Sequence, residues 1–206
     1  MAEVRSPIVI PSGISQSSPG KMLVHTCCAP CAAPSGEKLM LRGFEVILYF
    51  SNSNIFPTEE YQRRLDSARR LAQIWEVVIE EDTYDHTEWL KRIRGHESDP
   101  EKGMRCRLCF DYSLTRTAEM ADRLNIAYFT TTLTLSPHKV TQMIFAIGNR
   151  FPKFAPFDFK KENGFLRSLQ LSRTYNLYRQ GYCGCEFSLR DRQQRLTAGS
   201  GSVPAK

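Results

Sequence analysis

Seven cysteines stand in only three places along the 206 residues: Cys27, Cys28 and Cys31; Cys106 and Cys109; Cys183 and Cys185. If they act together, the fold must bring three distant segments to one point, which excludes any simple chain of independent modules. The number is odd, and the first residues lack the basic-then-apolar layout of a secretory leader. Thiols in such a chain point to metal binding or redox chemistry, not to a disulfide frame. No run approaches the ~18 consecutive apolar residues of a membrane span, so the expectation is a cytoplasmic protein without a membrane partner.

The spacing of apolar residues supplies the frame. Residues 22–26 and 44–50 read as short buried strands, 76–81 as a third and 126–130 as a fourth, with helical periodicity between them. Helices are expected at about 35–42, 59–75, 86–94, 106–124 and 164–179. Another begins at Ser136-Pro137, an N-cap and first-turn pair, with Val140, Met143, Ile144 and Ile147 as its stripe. The run 151–159, with four Phe and two Pro, reads as a packed loop. Strands alternating with helices predict an α/β sheet covered on its faces. One domain over 21–190 is expected, between a disordered extension at 1–20 and a flexible tail at 191–206.

Cys27 and Cys28 directly follow the first strand, at the sheet edge where loops of α/β proteins converge over ligands. Cys106-Arg-Leu-Cys109 has i, i+3 spacing at the expected start of a helix, whose N-terminus favours the thiolate. Gly184 lets Cys183 and Cys185 bend toward one centre. Cys28, Cys31, Cys106 and Cys109 satisfy the ligand count of an all-cysteine zinc site, and thiolates in this arrangement equally suit an iron–sulfur cluster. His25 and Asp111, near the cysteines in sequence, are candidate proton donors.

Five ordered motifs carry a family resemblance: His25-Thr-Cys-Cys-Ala-Pro-Cys31; Asn54-Ile-Phe-Pro followed by Glu60-Tyr-Gln-Arg-Arg64; Arg105-Cys-Arg-Leu-Cys-Phe110; Thr130-Thr-Thr-Leu-Thr-Leu-Ser-Pro137; and Tyr178-Arg-Gln-Gly-Tyr-Cys-Gly-Cys185. From residue 22 to about 190 the sequence resembles the cobalamin-independent epoxyqueuosine reductases of the QueH type. It departs from their usual pattern at Asn52-Ser-Asn54, where Asn-Pro-Asn is common, and at Phe56, where His is common. Cys31 stands where some members carry Asp.

The resemblance implies a Rossmann-like parallel sheet of the adenine nucleotide α-hydrolase type, with an iron–sulfur site at the carboxyl ends of the strands. The implied activity is two-electron removal of the epoxide oxygen of epoxyqueuosine in tRNA, giving queuosine. It also implies Cys27, Cys28, Cys106 and Cys109 as ligands of a 4Fe–4S cluster, with Cys31 as a supplementary metal ligand. Cys183 and Cys185 are implied as the catalytic redox pair, cycling as a disulfide or, with Cys31, holding a second, mononuclear iron. The implied partners are tRNA carrying epoxyqueuosine and an electron-donor protein or small reductant. Substrate contacts are expected at Asn54, Tyr61, Arg64, Thr131, Thr132 and Arg179.

The net charge of +6 is uneven. Residues 61–116 carry eleven charges of each sign, whereas 137–190 carry nine basic and three acidic residues, interleaved with aromatics. That pattern suits the phosphates and splayed bases of loop RNA. The candidate phosphate contacts are Lys139, Arg150, Lys153, Lys160, Lys161, Arg167, Arg173 and Arg179. Two other classes compete. An ATP-using tRNA sulfurtransferase would need a Gly-rich phosphate cradle after the first strand, where this chain has Cys-Cys-Ala-Pro-Cys. A zinc-stabilised RNA-binding module would need no redox chemistry.

Overall fold

A computed structural model describes residues 20–199. The expected extension at 1–20 therefore lies, but for Gly20, outside the described residues, as does the end of the expected tail, 200–206. Four parallel strands, β1 (Lys21–His25), β2 (Glu45–Phe50), β3 (Ile79–Glu81) and β4 (Tyr128–Thr131), form one sheet in the order β3-β2-β1-β4. The chain winds outward from β1 to β3, then returns to place β4 on the other side of β1. The order thus reverses at β1, and the loops after β1 and β4 part to leave a crevice at their carboxyl ends.

Alternation along the strands decides which helix covers which face. Met22 and Val24 of β1, with Val46 and Leu48 of β2, pack against α1 (Ala29–Met40), the end of α2 (Thr58–Trp75) and α6 (Gly164–Thr174). Leu23, Ile47, Tyr49 and Phe129 face α4 (Met104–Arg123) and α5 (Thr141–Gly148). Both faces are buried, as a parallel sheet requires. Among the described residues no helix is long and apolar enough to cross a membrane.

Several boundaries differ from the sequence reading, each for a local reason. α1 begins at Ala29 and not near 35, because Cys28 takes the extended N-cap conformation and Pro30 occupies the first turn, where its missing N–H costs nothing. Pro34 then sits inside the helix and cannot donate to the carbonyl of Pro30. The hydroxyl of Ser168, from α6, donates to that carbonyl instead at 2.6 Å, so a helix defect becomes the joint between α1 and α6.

Ser136-Pro137 does not start a helix. Thr132–Leu135 forms a 3-10 turn, the Lys139 N–H donates to the Ser136 carbonyl, and the Ser136 hydroxyl accepts from the His138 N–H. Helix α5 starts only at Thr141. The third strand begins at Ile79 because Glu76 adopts a left-handed conformation that closes α2. α6 stops at Thr174, where Asn176 turns left-handed and the Leu177 N–H returns to Ser172.

The segment 191–199, read from sequence as tail, is helical. It forms most of α7 (Glu186–Gly199), whose first turn is pinned by Phe187 on Trp89 of α3 (His86–Arg92) and by Glu186 on His86. The loop 151–159 packs as expected, with Phe154, Phe157 and Phe159 buried and a parallel bridge from Phe154 to Phe129.

Two consequences are measurable. A Cβ on Gly164 would lie 1.8 Å from the Phe159 carbonyl oxygen, a backbone atom that cannot swing away. Gly164→Ala should therefore cost about 1–3 kcal/mol, the usual scale of overpacking, seen as a lower urea midpoint with unchanged slope.

His86 donates from Nδ1 to the Ser53 carbonyl at 2.8 Å and faces Glu186 through Nε2 at 3.1 Å. Burial opposes its charge, but Glu186, the Ser53 carbonyl and Asp85 outweigh it, so its pKa lies above the usual 6.5. The contact then adds stability below about pH 6.5 and loses it as pH rises through the raised value. Denaturant curves at pH 6 and 8 should show this loss in the wild type and not in His86→Gln.

Candidate metal centre

Three residues, Thr26, Cys27 and Cys28, connect β1 to α1, and Cys31 lies in the first turn of that helix. The Sγ atoms of all three lie within 4.8 Å of one another. Cys27 has a pKa well below the usual thiol value because Cys28 and Cys31 hydrogen-bond to it, with further help from Lys139 and Thr132. Cys28 is pushed up to about 12 and Cys31 well above its ordinary value, chiefly through the same contact with Cys27. Within the trio the contact favours the thiolate at Cys27 and the thiol at Cys28 and Cys31. The Thr132 hydroxyl donates to the Cys27 sulfur at 3.3 Å.

Beside the trio lies a cavity of about 480 Å³. Cys27 and Cys31 line it together with Cys106 from the start of α4 and Cys183 from the C-terminal segment. A small adjoining cavity is lined by Cys27, Cys109 and Cys183. Cys185 packs with Cys109, Leu108 and Trp89. All three sequence clusters therefore meet at the sheet's carboxyl edge. The seven are free thiols; Cys183 and Cys185 are not joined.

Two expectations about the thiols change. Cys31, offered as a partner of Cys183 and Cys185 around a second iron, instead groups with Cys27 and Cys28. The helix start does not make Cys106 and Cys109 acidic either: burial pushes Cys106 up and Cys109 well up, and neighbouring cysteines add to both. The Lys102 N–H donates to the Cys106 sulfur at 3.3 Å.

A thiophilic metal group fits this donor set. Three sulfurs lie together, the thiolate is favoured at Cys27, and further cysteines line the adjoining cavities with Lys139. Lys139 lines both cavities. Burial opposes its charge, yet Cys183, Cys27, Cys31 and Cys28 more than offset this and raise its pKa. The sequence marked Lys139 only as a phosphate contact; what brings it to the sulfurs is the Ser136–Lys139 turn, invisible in the pattern.

Other expected site residues are spent differently. Arg64 has a side chain only 2% exposed and pairs with an equally buried Glu60 at 2.7 Å. Its remaining N–H groups donate to the carbonyls of Cys183 at 2.9 Å and Tyr182 at 3.2 Å, so it clamps the C-terminal cysteine segment. Tyr178 donates to the other oxygen of Glu60 at 2.7 Å. Phe56 N–H donates to the Gly184 carbonyl at 2.9 Å, and Gly184 has φ 147.

Thr131 and Thr132 are buried. The first hydroxyl is engaged with His25 and the Leu133 N–H, the second with Cys27, so both support the site from behind. Tyr61 is a core residue against Phe50 and Tyr84. Asn54 lines the small cavity, Arg179 the large one and Arg64 both.

His25 is buried with both ring nitrogens engaged, by Thr131 and the Ser51 carbonyl; burial lowers its pKa, and it lines only the small cavity. Asp111 is ion-paired with Arg150 and lines neither cavity. Lys153 and Arg167 are likewise spent, on Asp122 and Glu37.

The family model for epoxyqueuosine reductase QueH matches residues 22–191. The chain belongs to the QueH family. It is 40% identical to the epoxyqueuosine reductase QueH of Streptococcus pyogenes serotype M1 over 178 residues, covering 81% of this chain and 69% of that protein. With the QueH of Haemophilus influenzae it shares 34% over 194 residues, 91% of this chain and 77% of the relative. With that of Acinetobacter baylyi it shares 34% over 186 residues, 87% and 85% of the two chains.

The sheet and helices are similar to those of a solved structure, the U34-tRNA thiolase NcsA from Methanococcus maripaludis with its [4Fe-4S] cluster. The TM-score is 0.54 at 13% identity, over 89% of this chain and 67% of that one. At that identity the likeness is one of fold.

Removing Arg64 would take from the buried Glu60 its buried cation, leaving Tyr178 and the exposed Arg63 on its other oxygen, and would free the Cys183 carbonyl. Arg64→Ala should lose about 3–5 kcal/mol in chemical unfolding, the usual loss for a broken buried pair. Arg64→Lys should recover part of it.

Proposed function

We propose that the chain reduces epoxyqueuosine in tRNA to queuosine, as its family name describes, and that the cysteine-lined cavity is where it does so. One observation carries the placement: three cysteine clusters far apart in sequence converge at the crevice edge of the parallel sheet, around a space large enough for one nucleoside. Removing an epoxide oxygen consumes two electrons and two protons, leaving a carbon–carbon double bond and water. Side chains alone supply no such reductant.

Cys27, Cys28, Cys106 and Cys109 would hold a 4Fe–4S cluster, with Cys31 beside the first two, and such a cluster supplies electrons one at a time. The likeness to a cluster-bearing thiolase supports reading the fold as the Rossmann-like, adenine nucleotide α-hydrolase type. Cys183, on the cavity wall, and Cys185, behind it, form the second, catalytic pair, held in place by Arg64. The Lys139 ammonium donates a hydrogen bond to the epoxide oxygen as it gains charge, a role that needs a cation inside the cavity. Arg179 orients the substrate from the wall of the large cavity, and Asn54 from the small cavity adjoining it. An external protein or small reductant supplies the electrons.

Protein purified without oxygen should be brown and contain iron and sulfide, whereas a zinc module would be colourless. Cys27→Ala and Cys106→Ala should lose that colour, and Cys183→Ala should keep it while losing turnover. Nucleoside analysis of tRNA decides the function: cells lacking this protein and any other reductase should accumulate epoxyqueuosine. A normal queuosine level in those cells would overturn the reading.

A further inference from the structure

The large cavity has room for one modified nucleoside, not for a folded RNA, so the rest of any RNA substrate must lie across its mouth. Two cations there belong to segments to which no role has been assigned. Lys102 precedes α4, and Arg195 comes from α7; both line the cavity. Neither has a carboxylate partner among the described residues, in contrast to Arg150, Lys153 and Arg167. Glu101 is the one carboxylate among the residues lining the cavity.

Helix α7 gives a second indication. Its first turn is fixed by Phe187 on Trp89, by Arg105 stacked 4.7 Å from the Phe187 ring and by His86 on Glu186. Beyond that turn, residues 192–197 are exposed. A helix that buries only its beginning gains little from packing. What the remainder does is carry Arg192 against Gly181 and Arg195 to the cavity. The opposite requirement, a surface for bases, is met by the exposed ring of Phe165, which also lines the cavity and lies under the Arg179 guanidinium at 6.0 Å.

We infer that Lys102 and Arg195 form a phosphate-binding rim that grips the RNA backbone on either side of the nucleotide admitted to the cavity. This rests on the proposed tRNA substrate. RNA is favoured over an acidic protein because one ligand then supplies regularly spaced phosphates to both cations and a base to Phe165. The two side chains position substrate and take no part in the chemistry.

The test uses the anaerobically purified holoprotein with tRNA and a fluorescent anticodon stem-loop, measuring affinity over a range of NaCl concentrations. Lys102→Ala and Arg195→Ala should each weaken binding and lower the slope of log affinity against log salt by about 0.7, the value for one lost single-strand phosphate contact. Arg195→Glu should weaken binding further. Arg69→Ala, whose guanidinium is paired with Glu81 and Asp66 away from the cavity, should leave the slope unchanged. In turnover, the rim variants should raise KM for tRNA and keep kcat.

Unchanged slopes in both rim variants would overturn the inference. So would an equal loss of affinity for a free nucleoside monophosphate, which would mark a mononucleotide pocket. Wild-type protein without turnover would instead count against the proposed reaction, while the binding slopes would still report on the rim.

Discussion

Strand β1 ends at His25 and helix α1 begins at Ala29, and the short turn between them holds Cys27 and Cys28. Much of the site follows from this constraint. The strand is central and buried on both faces, so its end cannot move. The helix must start at once, so Cys28 becomes its N-cap and Cys31 falls one turn later on the same side. A rigid origin for three sulfurs is thereby set by backbone geometry. The other four cysteines come from segments that have to be brought to it, α4 by packing across the sheet and the C-terminal segment by the Arg64 clamp.

Parts of this were legible in the sequence. The strands, the alternation with helices and the meeting of cysteines at a sheet edge follow from apolar spacing and from the position of Cys27 after its strand. Misplaced boundaries share a cause: a local signal was outweighed by a nearby turn. Ser136-Pro137 has the chemistry of a helix start, but its hydroxyl and carbonyl are used within a turn. The helical end of the chain was missed because α7 has almost no apolar stripe and is held by a few contacts at its first turn.

The chemical roles were harder to read because they depend on which partner a side chain finds. Thr131, Thr132 and Tyr61 lie in the right motifs, yet all three are buried and act on other protein groups, while Arg64 clamps the C-terminal segment and also lines both cavities. Nothing in their spacing separates a residue that touches substrate from one that supports a neighbour. The basic stripe of the last third divides similarly: Arg150, Lys153 and Arg167 are neutralised by distant carboxylates. Lys139 is directed inward by a turn.

Pro34 interrupts α1 within the turn after Cys31, and the freed Pro30 carbonyl is taken by Ser168. The same Ser168 hydroxyl accepts from Arg179 at 3.1 Å. A missing N–H in one helix thus becomes a relay of three groups, running from the backbone beside the thiol trio to a guanidinium that lines the cavity. The guanidinium that lines the cavity is thereby tied, through one hydroxyl, to the first turn of the helix that carries Cys31.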